Sequence, residues 1–387
     1  MSRRTGWAVL AAVFGVAIAA AMGVAAFFER TMPDEWTEMR RLPQIHPNYD
    51  GTVIPPNIAP LNFAMDEPGE SFCVRIGGAN GRSIDIPGRG SAVLIPPGPW
   101  RRLLYENRGG VIRVEVFVRD ADGWKRFDTI TNRVAEEEID SHLVYRLLGP
   151  AYFAFHRIAI WQRDLESFDE SPLLSNASFG GGCVNCHAFA ANRPERFSFH
   201  VRPPTDGGFD GGMIEVEDGK AVRIPSSPAS EAALPAYTAW HPSAPLAAFS
   251  RNNQGLFMRG AGVEPREVYD LKSDLAVFDA KTGEISPVPD TGEQRTVSTF
   301  PAWSADGEYL YYSSAAVGAS QPPYDSYASI KYDLMRIRYD ARSGAWGKPE
   351  IVLSAAKTGQ SITQPRPSPD GRYLVFCMSP HGCFPVL

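Results

Sequence analysis

The stretch PAWSADGEYLYYSS, residues 301–314, packs a short strand, a Ser-Ala-Asp-Gly turn and a hydrophobic strand into one unit. The turn has its own chemistry, because an Asp carboxylate accepts from backbone N–H groups two residues on and Gly takes the positive φ that closes the corner. The same template recurs as TAWHPSAPLAAFS (238–250) and PRPSPDGRYLVFCM (365–378), with 63 and 64 residues separating Trp240, Trp303 and Pro367. Hairpins fill the intervals, DLAVFDAKTGEISPV and DLMRIRYDARSGAWGKPEIVL, and the same shape comes earlier as MIEVEDGKAVRI. Four strands per unit at a fixed period is the pattern of β-propeller blades. The period exceeds the ~40 to 50 residues usual for a blade, which keeps a β-sandwich as the rival, but the insertion AAVGASQPPYDSYASIKY absorbs the excess in the second unit. Only about three units can be counted where a closed ring needs about four or more. Residues 213–387 therefore read as an incomplete propeller, with the hairpin at 213–224 a candidate to close its last blade.

The chain opens MSRRTGWAVLAAVFGVAIAAAMGVAAFFER, in which Arg3 and Arg4 precede an uncharged run from Gly6 to Phe28. At about 1.5 Å per residue that run is long enough as a helix to cross a hydrocarbon core, and the arginines keep its start in the cytoplasm. Residues 1–30 are expected to be a transmembrane anchor, with a cleaved signal as the rival. Either way the body is exported. Residues 31–60, with PQIHPNYDGTVIPPNIAP, are proline-rich and lack a period, so they read as an extended linker. Residues 61–170 read as a small β-sandwich-like domain. In VIRVEVFV, Ile112, Val114 and Val116 alternate with Arg113 and Glu115, the period of a half-buried strand. Longer apolar stretches in 136–170, broken at Gly149-Pro150, predict two closing helices. A net charge of -6 without a later Lys/Arg cluster gives nucleic acid no electrostatic footprint. There is no G-x-S-x-G, no H-E-x-x-H and no glycine-rich phosphate loop, so hydrolytic and nucleotide chemistry have no signature.

Between the two β regions lies GGCVNCHAFAANRPERFSFH, residues 181–200, where Cys183, Cys186 and His187 stand at i, i+3 and i+4. In an exported chain this is the spacing of covalent haem attachment, two thioethers and one imidazole ligand sharing a helical face. A thioredoxin-like dithiol needs a βαβ setting that SNASFGGG does not supply. A zinc site needs two more ligands in paired spacing, which Cys73, Cys377 and Cys383 do not offer. Residues 171–212 are thus expected to be a helical segment carrying one haem c on Cys183, Cys186 and His187. His200 is the expected second iron ligand, with Met213 and His241 as alternatives. Phe179, Phe189, Phe197 and Phe199 are candidates to cover the ring, and Arg193, Arg196 and Arg202 to pair with its propionates. Cys377 and Cys383 are candidates for a disulfide across a turn, and Cys73 for a buried small hydrophobe. His46, His142, His156 and His381 carry no motif and read as structural or surface residues.

Two sets of segments carry a resemblance. WSADGEYLYYSS and PSPDGRYLVF resemble the TolB-type β-propeller repeat, found mostly in periplasmic binding and scaffold proteins. IPPNIAPLNF, IDSHLVYRLLGP, CVNCHAF, FSFHVR and AWHPSAPLAAFS, in that order, resemble TolB-like proteins with a single c-type haem motif ahead of the propeller. The fold class expected is mainly β: an N-terminal transmembrane helix, a small β-sandwich-like domain, a helical haem-binding segment and a TolB-type β-propeller. The function expected is a membrane-tethered periplasmic mono-haem cytochrome on the outer side of the inner membrane, an electron carrier rather than an enzyme. Its propeller would dock a periplasmic redox or envelope protein partner. The alternatives are an envelope scaffold or sensor with a structural haem, and a haem-dependent enzyme with its site in the propeller funnel.

Overall fold

The computed structural model describes residues 32–147, 158–202, 212–224, 234–258, 266–292, 296–317, 329–380 and 384–386. The anchor at 1–30, the Gly149-Pro150 break, His156, His381, Cys383 and most of the insertion after residue 317 lie outside them. Among the described residues no helix is long and apolar enough to cross a membrane. The chain divides into two compact units, residues 1–143 with 162–171, and residues 144–161 with 172–387.

In the second unit one backbone irregularity recurs four times. The strands Cys183–Phe189, Leu234–Trp240, Thr296–Trp303 and Ser361–Pro367 each pair antiparallel with the strand that follows, and in each a bulge sets two residues against one. The first bulged residue has a positive φ every time: Cys186 at 49°, Tyr237 at 53°, Phe300 at 54° and Gln364 at 55°. A bulge of this kind bends the strand and re-aims the next side chain. Aligned on it, His187, Thr238, Pro301 and Pro365 are equivalent, as are Phe189, Trp240, Trp303 and Pro367. The repeat therefore has a fourth unit, and CVNCHAF is its inner strand.

Three of these units are four-stranded meanders. The first runs Cys183–Phe189, Arg196–Arg202, Gly212–Glu217 and Lys220–Ile224. The second runs Leu234–Trp240, Leu246–Met258, Arg266–Asp279 and Glu284–Pro287. The third runs Thr296–Trp303, Tyr309–Ala316, Asp333–Asp340 and Ala345–Leu353. The last unit shows two strands, Ser361–Pro367 and Leu374–Ser379, while Phe384–Val386 pairs with residues 266–268 of the second. The chain is a propeller-type β protein. The hairpin at 213–224 thus completes the first blade rather than the last, and its turn has the left-handed pair Asp218 and Gly219, φ 48° and 75°, that matches hairpin twist.

Successive blades bury apolar faces against each other. Leu246, Ala248, Leu275 and Val277 of the second meet Trp303, Leu310, Tyr312, Ile337 and Tyr339 of the third. Met213 of the first packs with Trp240, Ala247, Phe249, Ala276 and Phe278 of the second. The other face of the first blade, with Val184, Phe197, Phe199, Val201 and Ile214, covers Ile158 and Ile160.

The quoted turns work as their composition dictates. Ser304 Oγ and the Glu308 N–H donate to Asp306 Oδ1 at 2.5 and 2.9 Å, and Gly307 takes φ 76°. Ser368, Asp370 and Gly371 repeat this in the last blade. In the second blade His241, following Trp240 as Ser304 follows Trp303, holds the turn. Its Nδ1 accepts from the Ser243 and Ala244 N–H groups at 3.2 and 2.9 Å, so Nε2 carries the proton and donates to the Gly307 carbonyl of the third blade at 3.1 Å. A Cβ at Gly307 would clash with His241 Nε2, whereas one at Gly371 would meet only Ala305 at 3.5 Å. Gly371→Ala is expected to cost about 1 kcal/mol from its left-handed backbone. Gly307→Ala adds a clash and should cost roughly 2–3 kcal/mol, read as the larger fall in thermal midpoint of the two.

The first unit is built on a seven-stranded sheet in which Val111–Asp120 pairs with Ser71–Gly78, Gly123–Arg126 and Ile130–Val134. Ile112, Val114, Val116 and Val118 of that central strand are buried. A three-stranded sheet of Ile45–His46, Phe63–Met65 and Ala92–Val93 adds Ile45, Phe63, Met65 and Val93 to the same core. Two expectations are corrected here. Residues 32–60 are not a free tether, because Thr37–Glu38 and Val53–Ile54 add to the sheet edges in parallel and Ile45, Ile54 and Ala59 are buried. Prolines suit edge positions, where no N–H is needed. In 136–170 the described residues form the strands His142–Leu147 and Ala159–Asp164 instead of two helices. Short apolar runs do not separate helix from strand by period, and Val144, Tyr145, Ile160 and Trp161 favour the strand. One helix went unanticipated: Pro97–Glu106 buries Trp100, Leu103 and Leu104, and the Trp100 indole donates to the Ile58 carbonyl at 3.0 Å. Cys73 is buried in this unit, as expected, and burial pushes its thiol up to about 11.

Candidate functional site

The CVNCH segment is a bulged strand, not a helix, which corrects the expectation of a shared helical face for its three ligating side chains. The physical reason lies in the partner strand. In RFSFHVR, Phe197, Phe199 and Val201 alternate with Ser198 and His200, and that period of two recruits CVNCHAF as an antiparallel neighbour, Cys183 opposite Arg202 and Phe189 opposite Phe197. The left-handed backbone at Cys186 belongs to the blade, since tyrosine, phenylalanine and glutamine take it elsewhere. Here the Asn185 carboxamide oxygen supports it by accepting from the Cys186 N–H at 2.8 Å, and the same oxygen is held by the Arg146 guanidinium.

After the bulge, His187 emerges on the face that carries Phe189, Phe197 and Phe199. Its ring lies edge-on to Phe189 at 6.2 Å, and its Nε2 is 3.2 Å from the Val144 carbonyl. Phe189 stacks on Phe197 at 5.1 Å, Phe197 on Phe199 at 6.1 Å, and Phe179 meets Phe199 edge-on at 5.6 Å. Burial holds the His187 imidazole below its ordinary pKa, helped by the Arg146 charge and opposed by the Val144 carbonyl. The ring is therefore neutral at pH 7, the form that binds metal. Cys183 is buried in the core of this face, and Cys186 is half-exposed.

His200 stands on the opposite face. Its Nε2 lies 2.9 Å from Thr238 Oγ1 of the second blade, its Nδ1 makes no hydrogen bond of normal geometry, and burial pushes its pKa down to about 4 against a weak upward pull from the Pro235 carbonyl. Met213, directly across the ladder from His200, is buried in the core between the first two blades. His241 is engaged in its turn and in the third blade. The structure thus gathers Cys183, His187 and the four phenylalanines, with Cys186 half-exposed at the bulge, and sets His200, Met213 and His241 apart from them. His46 is exposed, and exposed His142 bonds Ser141 Oγ through Nδ1 at 2.8 Å.

The candidate arginines also sort differently from their sequence positions. Arg196 is committed to Glu215 at 2.6 and 2.8 Å and lies 4.7 Å over the Trp240 ring, on the face of His200. Arg193 is exposed, and the side chain of Arg202 lies outside the described residues. Arg146, which no motif singles out, is the cation beside His187. Its signal in the sequence is faint: Val144 and Arg146 are two apart in a segment whose apolar runs predict a helix and which folds as a strand. Among the described residues no group of three or more His, Cys, Asp or Glu could hold a metal ion. The donor set fits a covalent haem c in kind, with two thiols and a neutral imidazole within five residues, next to an aromatic face.

No family model and no curated protein matches the chain. Among solved structures it is similar to a GH74 xyloglucanase from Xanthomonas campestris, with 12% identity over 71% of this chain and 40% of that one, TM-score 0.36. It is similar to hydrazine synthase of Kuenenia stuttgartiensis, with 12% identity over 69% and 70% and a TM-score of 0.30. An oligogalacturonate lyase from Vibrio parahaemolyticus shares 11% identity over 87% and 86%, TM-score 0.32. Likenesses this distant bear on no chemistry of the present site, and the propeller assignment stands on the four equivalent bulges.

Proposed function

We propose that the chain is a mono-haem c-type cytochrome, tethered to the inner membrane by residues 1–30 and lying on its periplasmic side. Cys183 and Cys186 hold the haem by thioethers and His187 ligates the iron. The observation that supports this most is the placement of all three on one bulged strand beside the row formed by Phe189, Phe197, Phe199 and Phe179. Such a group, when bound, supplies one-electron transfer. The chain's own part is to bind, orient and keep dry. With one ring nitrogen donating to Val144, the other nitrogen of His187 keeps its lone pair, and the outer partner fixes the ring's orientation. The phenylalanines exclude water from that side and keep the local dielectric low. His200 belongs to the packing of the first blade on the second, through Thr238. The propeller docks a periplasmic redox or envelope partner.

The test is the absorption spectrum of the protein exported in cells with a working haem-maturation system. Reduced protein is expected to show c-type haem bands that survive acid-acetone extraction. Protein without haem, or with extractable haem, overturns the proposal.

A further inference from the structure

We infer that Arg146 takes the anionic edge of the group held at Cys183, Cys186 and His187 and that its charge raises the potential of that group; the inference rests on the haem reading. Two residues of the strand His142–Leu147 reach CVNCH. Val144 offers its carbonyl to His187, and Arg146, two residues on, offers its guanidinium to Asn185. Asn185 in turn holds the N–H of Cys186, so Arg146 is linked by hydrogen bonds to the very turn that carries the second thiol.

What sets Arg146 apart is its partner. Arg196, Arg251 and Arg336 of the blades each pair with a carboxylate within 2.7 Å. Arg146 is half-buried, and among the described residues no carboxylate lies at ion-pair distance from it. Its contact in hand, the Asn185 oxygen, is neutral. A guanidinium carries five N–H donors in a planar fork that matches a carboxylate, and one neutral acceptor leaves most of the fork and the whole charge to offer. The haem brings two carboxylates, so the ligand and the uncompensated cation are complementary. Arg196, the sequence-based candidate for this role, is spent on Glu215 on the other face. A positive charge near an iron centre favours the reduced state, which carries one positive charge fewer. By Coulomb's law one such charge beside the iron shifts the redox ratio on the order of tenfold.

The test compares Arg146→Gln and Arg146→Lys with wild type as full-length, haem-loaded proteins in a spectroscopic redox titration. Covalent haem per protein should be unchanged. At the wild-type midpoint potential, Arg146→Gln should show a reduced-to-oxidised ratio about tenfold lower, a fall of about 59 mV for one electron, and Arg146→Lys, which keeps the charge, should recover most of it. Haem-loaded Arg146→Gln with the wild-type midpoint overturns the inference and leaves the haem reading standing. A wild-type protein that carries no haem fails the reading itself. If Arg146→Gln does not accumulate, Asn185→Asp takes its place, because it is isosteric and puts a carboxylate on the guanidinium. The same downward shift is then expected, and an unmoved midpoint overturns the inference.

Discussion

Exchange of Cys183 and Cys186 together for alanine is expected to abolish covalently bound haem and leave the propeller folded. The first half follows from the chemistry, since thioethers to two thiols are what acid-acetone cannot break. The second half follows from the blade. Position 186 takes its left-handed backbone in company with Tyr237, Phe300 and Gln364, so no property of a thiol is needed there. Position 183 loses one buried sulfur beside Val184 and Phe199, a cavity worth roughly 1–2 kcal/mol. The measurement is extraction-resistant haem absorbance per protein, with circular dichroism on the same samples. Zero haem with a native β spectrum is the expected pair of results. Haem that stays attached in the double variant would remove both cysteines from the site, and an unfolded variant would make their role structural.

The sequence carried the propeller more plainly than the site. Ser304, Asp306 and Gly307, and again Ser368, Asp370 and Gly371, announce their turns because side chain and backbone cooperate there. The first blade escaped notice because its inner turn, after Phe189, uses Ala191 and Asn192 in the left-handed region and has no Asp-Gly pair. The bulge that unites all four blades is a backbone event carried by Cys, Tyr, Phe and Gln, and no residue type signals it. Cys183, Cys186 and His187 stand out by spacing alone, and spacing is silent on their conformation. The helical picture failed where the alternation of Phe197, Phe199 and Val201 in the next segment prescribed a strand. That same alternation puts His200 out of phase with the phenylalanines, so its distance along the chain from His187 was a poor guide to its face. Arg146 could not be found from composition, because what marks it is its place beside Asn185 and His187.

His200→Gln is expected to leave the haem spectrum unchanged and to remove a pH dependence of stability. In the folded protein the imidazole is fully enclosed between the first two blades, bonded to Thr238 and held near a pKa of about 4. In the unfolded chain it titrates near its ordinary value of about 6.5. The unfolded state therefore binds more protons between these values, so the neutral ring's contribution is complete above pH ~6.5 and is lost as the pH falls towards 4. Two and a half pKa units correspond to roughly 3 kcal/mol, a large share of a domain's stability. Urea titrations of wild type at pH 7, 5.5 and 4 should show that loss superposed on the titration of the carboxylates. In His200→Gln, whose side chain still reaches Thr238 but takes up no proton, the slope of stability against pH should be shallower by the same amount. An identical slope in the variant would remove His200 from the acid response. A change of the iron from low-spin to high-spin in His200→Gln would show instead that this ring leaves Thr238 and reaches the haem from the other side of the blade.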